Sequence, residues 1–157
     1  MSNTQQTNDA ALQQRQHWIS ILARSSAEEL QSFWDGLSLT QSYRPLRQPE
    51  TGLLMVRARA GGVGQRFNLG ETTVTRCSVS LESGEIGHSY VTGRDKRHAE
   101  LAAAFDGLLQ NPDWHTRVME DVVSVIERRL KETRKTREAK VASTKVDFFT
   151  MVRGEDA

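Results

Sequence analysis

Apolar positions change their spacing twice along this chain, and the changes divide it into helix, sheet and helix. From Asp9 onward Leu12, Ile19, Leu22 and Ala23 recur on one broad helical face, with Trp18 at its edge. Ser25 and Ser26 followed by Glu28 and Glu29 form a capping-box signature for a second helix carrying Leu30, Phe33, Trp34 and Leu37 and ending near Gly36. Between Ser42 and Thr92 the period falls to two, the mark of strands with one buried face. "SYRPLRQ" and "GLLMVRARA" read as strands broken by a turn-like "PET". Pro45 assigns the first to a sheet edge, because proline cannot donate to a ladder. "TTVTRCSVSL" and "EIGHSYVT" flank the hairpin turn "ESG", and "GGVGQRFNLGE" reads as an irregular link. The expected product is a meander of three or four antiparallel strands.

Helical spacing returns after Gly93, with Leu101, Phe105, Leu108 and Leu109 on one face, and Asn111–Pro112 stops it. A further helix from Asp113 carries the stripe Met119, Val122, Val123, Ile126 and Leu130. Beyond Leu130 the stripe ends. Glu127 to Lys140 holds seven Lys/Arg against three Glu, a local net of +4, and Glu127–Lys131 has the favourable i,i+4 orientation for a helix projecting into solvent. The fold class is therefore α+β: an N-terminal helical hairpin, one antiparallel sheet and two further helices. One domain is expected over 9–141, with the polar, uncharged stretch 1–8 disordered and 142–157 an extended C-terminal segment.

That last segment is unusually apolar for a chain end. Burying one large apolar side chain is worth about 1.5–3 kcal/mol, so Phe148, Phe149 and Met151 together represent roughly 5–9 kcal/mol. Val146, Phe148, Phe149, Met151 and Arg153 are accordingly candidate subunit-docking residues. Their strand-like alternation suits addition to a neighbour's surface or edge, with a return onto the chain's own sheet as the alternative.

Composition narrows the function classes. A chain of 157 residues suits one domain with a single core, and a net charge of +1 argues neither for nor against nucleic acid. No apolar run reaches the ~18–20 residues of a membrane span, and no charged-then-apolar leader opens the sequence. The lone Cys77 makes neither an internal disulfide nor a cysteine-rich zinc site, and reads as a reduced core thiol. Together these point to the cytoplasm, with no membrane partner.

Candidate chemistry concentrates in "TGRDKRHAE". Asp95 is positioned to cap the following helix, yet Arg94, Lys96, Arg97 and His98 crowd an N-terminus that already carries partial positive charge. A phosphate group or an acidic partner would resolve that conflict, and a solvated basic patch paired with Glu100 is the bland alternative. "GGVG" at Gly61–Gly64 matches no phosphate-loop template and reads as a glycine-rich turn. His17, His88, His98 and His115 have no metal-ligand spacing, and His88 alternates with Ile86 and Tyr90 as expected of a hydrogen-bonded core histidine. The basic stretch to Lys140 lacks interleaved aromatics, which argues against nucleic acid. No complete catalytic constellation and no metal site is expected.

"RQHWISILARSS", "ETGLLMVRARAGGVGQRFNLGE", "TRCSVSL", "GRDKRHAE" and "VDFFTMVRGEDA" resemble, in that order, the G subunit of the carbon–phosphorus lyase system, the PhnG family. The resemblance implies a cytoplasmic subunit working with the H, I and J subunits, the I subunit most directly, and functionally with the L protein. It implies that the assembly uses ATP and alkylphosphonate as substrates. Its nucleosidase-like I subunit helps replace adenine to give α-D-ribose 1-methylphosphonate 5-triphosphate. The iron–sulfur cluster and S-adenosylmethionine belong, by the same resemblance, to the J subunit, and this chain needs no cofactor of its own. The family supplies no catalytic residue to carry onto this sequence. Two alternatives stay open: a purely structural subunit that stabilises the complex, and an independent anion- or RNA-binding domain.

Overall fold

The computed structural model describes residues 2–37 and 42–143, with side chains described from Asp9 onward. Helix α1 (Ser2–Leu22) opens seven residues ahead of Asp9, because the stretch 2–8 contains no Gly or Pro to stop helical backbone. Those residues, expected to be disordered, are helical. Helix α2 (Ala27–Gly36) starts as the capping box requires, with the Ser26 hydroxyl accepting the Glu29 N–H. Only the last turns of α1 reach the core: Trp18, Ile21 and Leu22 are buried, whereas Leu12 is exposed and Ile19 half-buried.

Among the described residues three strands form the sheet, in the order β1-β2-β3. β1 (Tyr43–Arg59) runs through "PET" without a turn. Register shifts between Pro45 and Arg47 and between Arg47 and Glu50 absorb both prolines as bulges, so the break expected there is a kink in one long edge strand. β2 (Arg66–Leu81) likewise begins inside the segment expected to be irregular; the link shrinks to a 3₁₀ turn at Ala60–Gly62 with Gly61 and Gly62 at φ 58° and 80°. β1 pairs with β2 from Tyr43–Leu81 to Arg59–Arg66. β3 (Ile86–Thr92) follows the expected "ESG" turn but pairs only with Val74–Ser80. The distal half of the β1–β2 hairpin therefore extends past β3 as a two-stranded arm.

Alternation along β2 and β3 buries Thr75, Cys77, Val79 and Leu81 together with Gly87, Ser89 and Val91. His88 lies on the opposite, exposed face with Ile86 and Tyr90, where its Nδ1 meets the Ser78 hydroxyl at 2.9 Å. It is not the core histidine that its apolar neighbours suggested. Across the buried face lies α3 (Lys96–Gln110), covered along nearly its whole length. A helix buried on all sides must sit between layers. α3 contacts all three strands on one side and α1, α2 and α4 (Pro112–Val118) on the other. Its close approach to β3 depends on absent side chains, for a Cβ on Gly87 would lie 1.8 Å from the Ala103 carbonyl oxygen. Asn111 ends α3 and caps α4, and a π-helical turn at Met119–Val123 leads into α5 (Ser124–Ser143). Past Leu130, α5 is exposed to its end, as the lost stripe predicts.

Candidate functional site

The turn from β3 into α3 is held from below by threonines. Thr75, fully buried, donates to the Gly93 carbonyl at 2.8 Å and meets the Thr51 hydroxyl at 3.1 Å, and the Gly93 N–H reaches the Thr73 carbonyl at 2.9 Å. Asp95 then caps α3, accepting the His98 N–H at 2.9 Å. On this fixed turn the four predicted basic residues divide into two pairs.

Arg97 and His98 serve the fold. The buried His98 ring places Nε2 2.9 Å from the Leu22 carbonyl at the end of α1, so this nitrogen donates to a helix-end oxygen that the Ser25 hydroxyl also reaches at 2.6 Å. Ser25 Oγ lies 3.3 Å from the same nitrogen. Arg97 donates to Gln31 Oε1 at 2.6 and 3.1 Å and to the Tyr43 hydroxyl at 3.0 Å, and pairs with Glu100 at 3.3 Å. Tyr43 in turn donates to Glu100 at 2.9 Å; burial, reinforced by that carboxylate, raises its hydroxyl pKa above the ordinary value. This network ties α2, β1 and α3 together and gives Arg97 and His98 partners within the fold. Helical spacing signals only the Arg97–Glu100 pair, because Leu22, Gln31 and Tyr43 lie far away in sequence.

Arg94 and Lys96 remain. Both are exposed, and neither has an ion-pair or hydrogen-bond partner among the described residues. Arg94 forms one wall of an open cleft of about 430 Å³ with Thr51, Gly52, Leu53 and Thr73, at the root of the β1–β2 arm. The docking candidates Val146, Phe148, Phe149, Met151 and Arg153 lie outside the described residues.

One buried ionic cluster was not foreseen. Asp106 on α3 is fully buried and accepts from Arg15 at 2.8 and 3.2 Å, from the Trp18 indole N–H at 2.9 Å and from the His88 backbone N–H at 2.9 Å. It joins α1, β3 and α3. The available signal was a carboxylate inside the apolar run "AAAFDGLL", which a buried helix tolerates only when the charge is paired. Cys77 is buried with Sγ 3.4 Å from the Arg47 carbonyl, and burial pushes its thiol up to about 11, so it is a protonated core group at neutral pH. Among the described residues no cluster of three or more His, Cys, Asp or Glu is arranged to hold a metal, and no helix is long and apolar enough to cross a membrane.

Among the described residues, fold and site define an α+β protein with one sheet face sealed by a buried helix, the other face open, and a free basic pair beside a projecting arm. Comparison with known proteins makes the class specific. The chain belongs to the PhnG family, described as phosphonate metabolism protein PhnG, whose model matches residues 13–154. It is 43% identical over 156 residues, covering 99% of both chains, to the α-D-ribose 1-methylphosphonate 5-triphosphate synthase subunit PhnG of Rhizobium meliloti (strain 1021).

Proposed function

We propose that this chain is a subunit of an α-D-ribose 1-methylphosphonate 5-triphosphate synthase acting in phosphonate breakdown. The observation that carries the reading is likeness over 99% of both chains to a named subunit of that synthase. In this reading the assembly joins a phosphonate oxygen to ribose C1 of ATP while the C1–N bond to adenine breaks, so adenine leaves with the electron pair of that bond. ATP and alkylphosphonate are substrates of the assembly. The H, I and J subunits are the partners, the I subunit foremost, with the L protein acting alongside in the cytoplasm. Iron–sulfur and S-adenosylmethionine chemistry is assigned to the J subunit by the family resemblance.

The contribution of this chain is to assemble and to present charge. Arg94 and Lys96 form the free positive pair, suited to a substrate phosphate or to carboxylates of a sister subunit. The test is co-expression of the tagged chain with the H, I and J subunits, followed by assay of methylphosphonate-dependent adenine release with the L protein. Capture of partners and loss of adenine release when this chain is omitted are expected. Capture with undiminished release in its absence would assign it a structural role alone, and failure to capture any partner would overturn the reading. In the captured complex, Arg94→Ala with Lys96→Ala should lower either assembly or adenine release about tenfold, the worth of one charge-assisted hydrogen bond. If both stay unchanged, the basic pair has no functional role.

A further inference from the structure

The β1–β2 arm offers a surface that the fold leaves uncovered. Past the end of β3, the hairpin exposes Leu53, Leu54, Met55, Phe67 and Leu69, with Val63 at its tip 93% accessible. Strand alternation and pairing place Leu54, Val56, Ala58 and Phe67 on one apolar face, and Leu53 and Met55 together with Arg57, Arg59 and Arg66 on the other. Both long edges of the arm are also unpaired among the described residues, leaving rows of free backbone donors and acceptors. Isolated two-stranded ribbons are marginally stable in water, and natural edge strands are blunted by charge or covered. Here the charge is mostly of one sign: the arm carries Arg57, Arg59 and Arg66 against Glu71, which lies opposite Met55.

We infer that this arm is an insertion element that seats in an apolar, carboxylate-rimmed groove of a sister subunit, with Arg57, Arg59 and Arg66 meeting the rim. The inference rests on the synthase-subunit reading. The apolar face at Leu54, Val56 and Phe67 calls for a groove floor to cover it, and the arginines of the opposite face reach toward the rim. The excess of positive charge disfavours arm-to-arm pairing between two copies, because like charges would face each other, and favours an acidic partner. Open edges supply main-chain hydrogen bonds to whichever strand lies alongside.

The test uses the full chain co-expressed with the other synthase subunits. Leu53→Asp with Met55→Asp alters one face, Leu54→Asp with Phe67→Asp the other, and Arg57→Glu with Arg59→Glu the rim. All six positions lie outside the described core, so circular dichroism and Tm should match the parent. Each variant is expected to reduce partner capture at least tenfold, and the charge-reversal variant should leave the remaining capture less salt-sensitive. Capture at parental levels by all three variants overturns the inference while leaving the subunit reading intact; failure of the parent chain to capture overturns that reading instead. A homodimer of the isolated chain that these substitutions dissolve would assign the arm to a second copy. Increased dye binding at the arm on removal of residues 146–157 would assign it to the chain's own C-terminal segment. Either result overturns the sister-subunit assignment.

Discussion

Gly87 and Gly107 face each other across the β3–α3 contact, and what each would meet on gaining a methyl group differs sharply. A Cβ on Gly87 would stand 1.8 Å from the Ala103 carbonyl oxygen and 2.6 Å from the Gly107 nitrogen, both backbone atoms that cannot give way without moving the helix. One on Gly107 would meet Leu81 side-chain carbons at 3.1 and 3.2 Å, which a rotation can relieve. Gly87→Ala should therefore cost about 3 kcal/mol or more, of order 10 °C in Tm for a domain this size. Gly107→Ala should stay within about 1 kcal/mol of the parent, since lost space is offset by better helix propensity. Thermal melts of both variants check this, and equal losses would show that the contact is not the cause. The sequence carries only half of this information. An isolated glycine in the strand "EIGHSYVT" signals a bulge or a close backbone approach, but not which helix approaches.

At the level of elements, patterns of local origin were legible and those fixed by distant partners were not. Ser26 and Asp95 cap their helices as their spacing predicts, Asn111–Pro112 separates α3 from α4, and Pro45 lies on an edge strand. "PET" failed as a turn because bulges let an edge strand carry proline without ending, something only pairing with β2 decides. The internal partners of the basic cluster at the head of α3 were not legible for a similar reason: Leu22, Gln31 and Tyr43, remote in sequence, engage His98 and Arg97. Asp106 is the strongest case. Apart from Gln110 on α3 itself, its donors reside on α1 and β3, so removing the carboxylate should loosen α1 before anything else. Asp106→Ala should destabilise the fold by about 2–4 kcal/mol, because buried donors lose their acceptor while Arg15 partly regains water. Limited trypsin digestion should cut at Arg15 and Arg24 faster than at Arg76 in this variant. An unchanged cleavage order would mean that apolar packing of Trp18, Ile21 and Leu22 alone holds α1.

For the whole molecule, the question is which parts close on themselves and which need another chain. The described residues complete a core from Trp18 to Ile126, and none of their buried side-chain polar atoms lacks a partner. Among the described residues three features stay exposed outside this core: Arg94 and Lys96, the apolar arm, and the basic end of α5. On the proposed reading, Val146, Phe148, Phe149, Met151 and Arg153 form a second anchor beside the arm. A chain ending at Lys145 should then keep its circular dichroism and melt within about 2 °C of the parent, yet capture the I, H and J subunits at least tenfold more weakly. Combining the truncation with Leu54→Asp and Phe67→Asp discriminates further. Independent anchors add their losses, whereas two parts of one contact fall short of the sum. A truncated chain that melts much earlier but still captures its partners would return these residues to the chain's own core and leave the arm as the principal anchor.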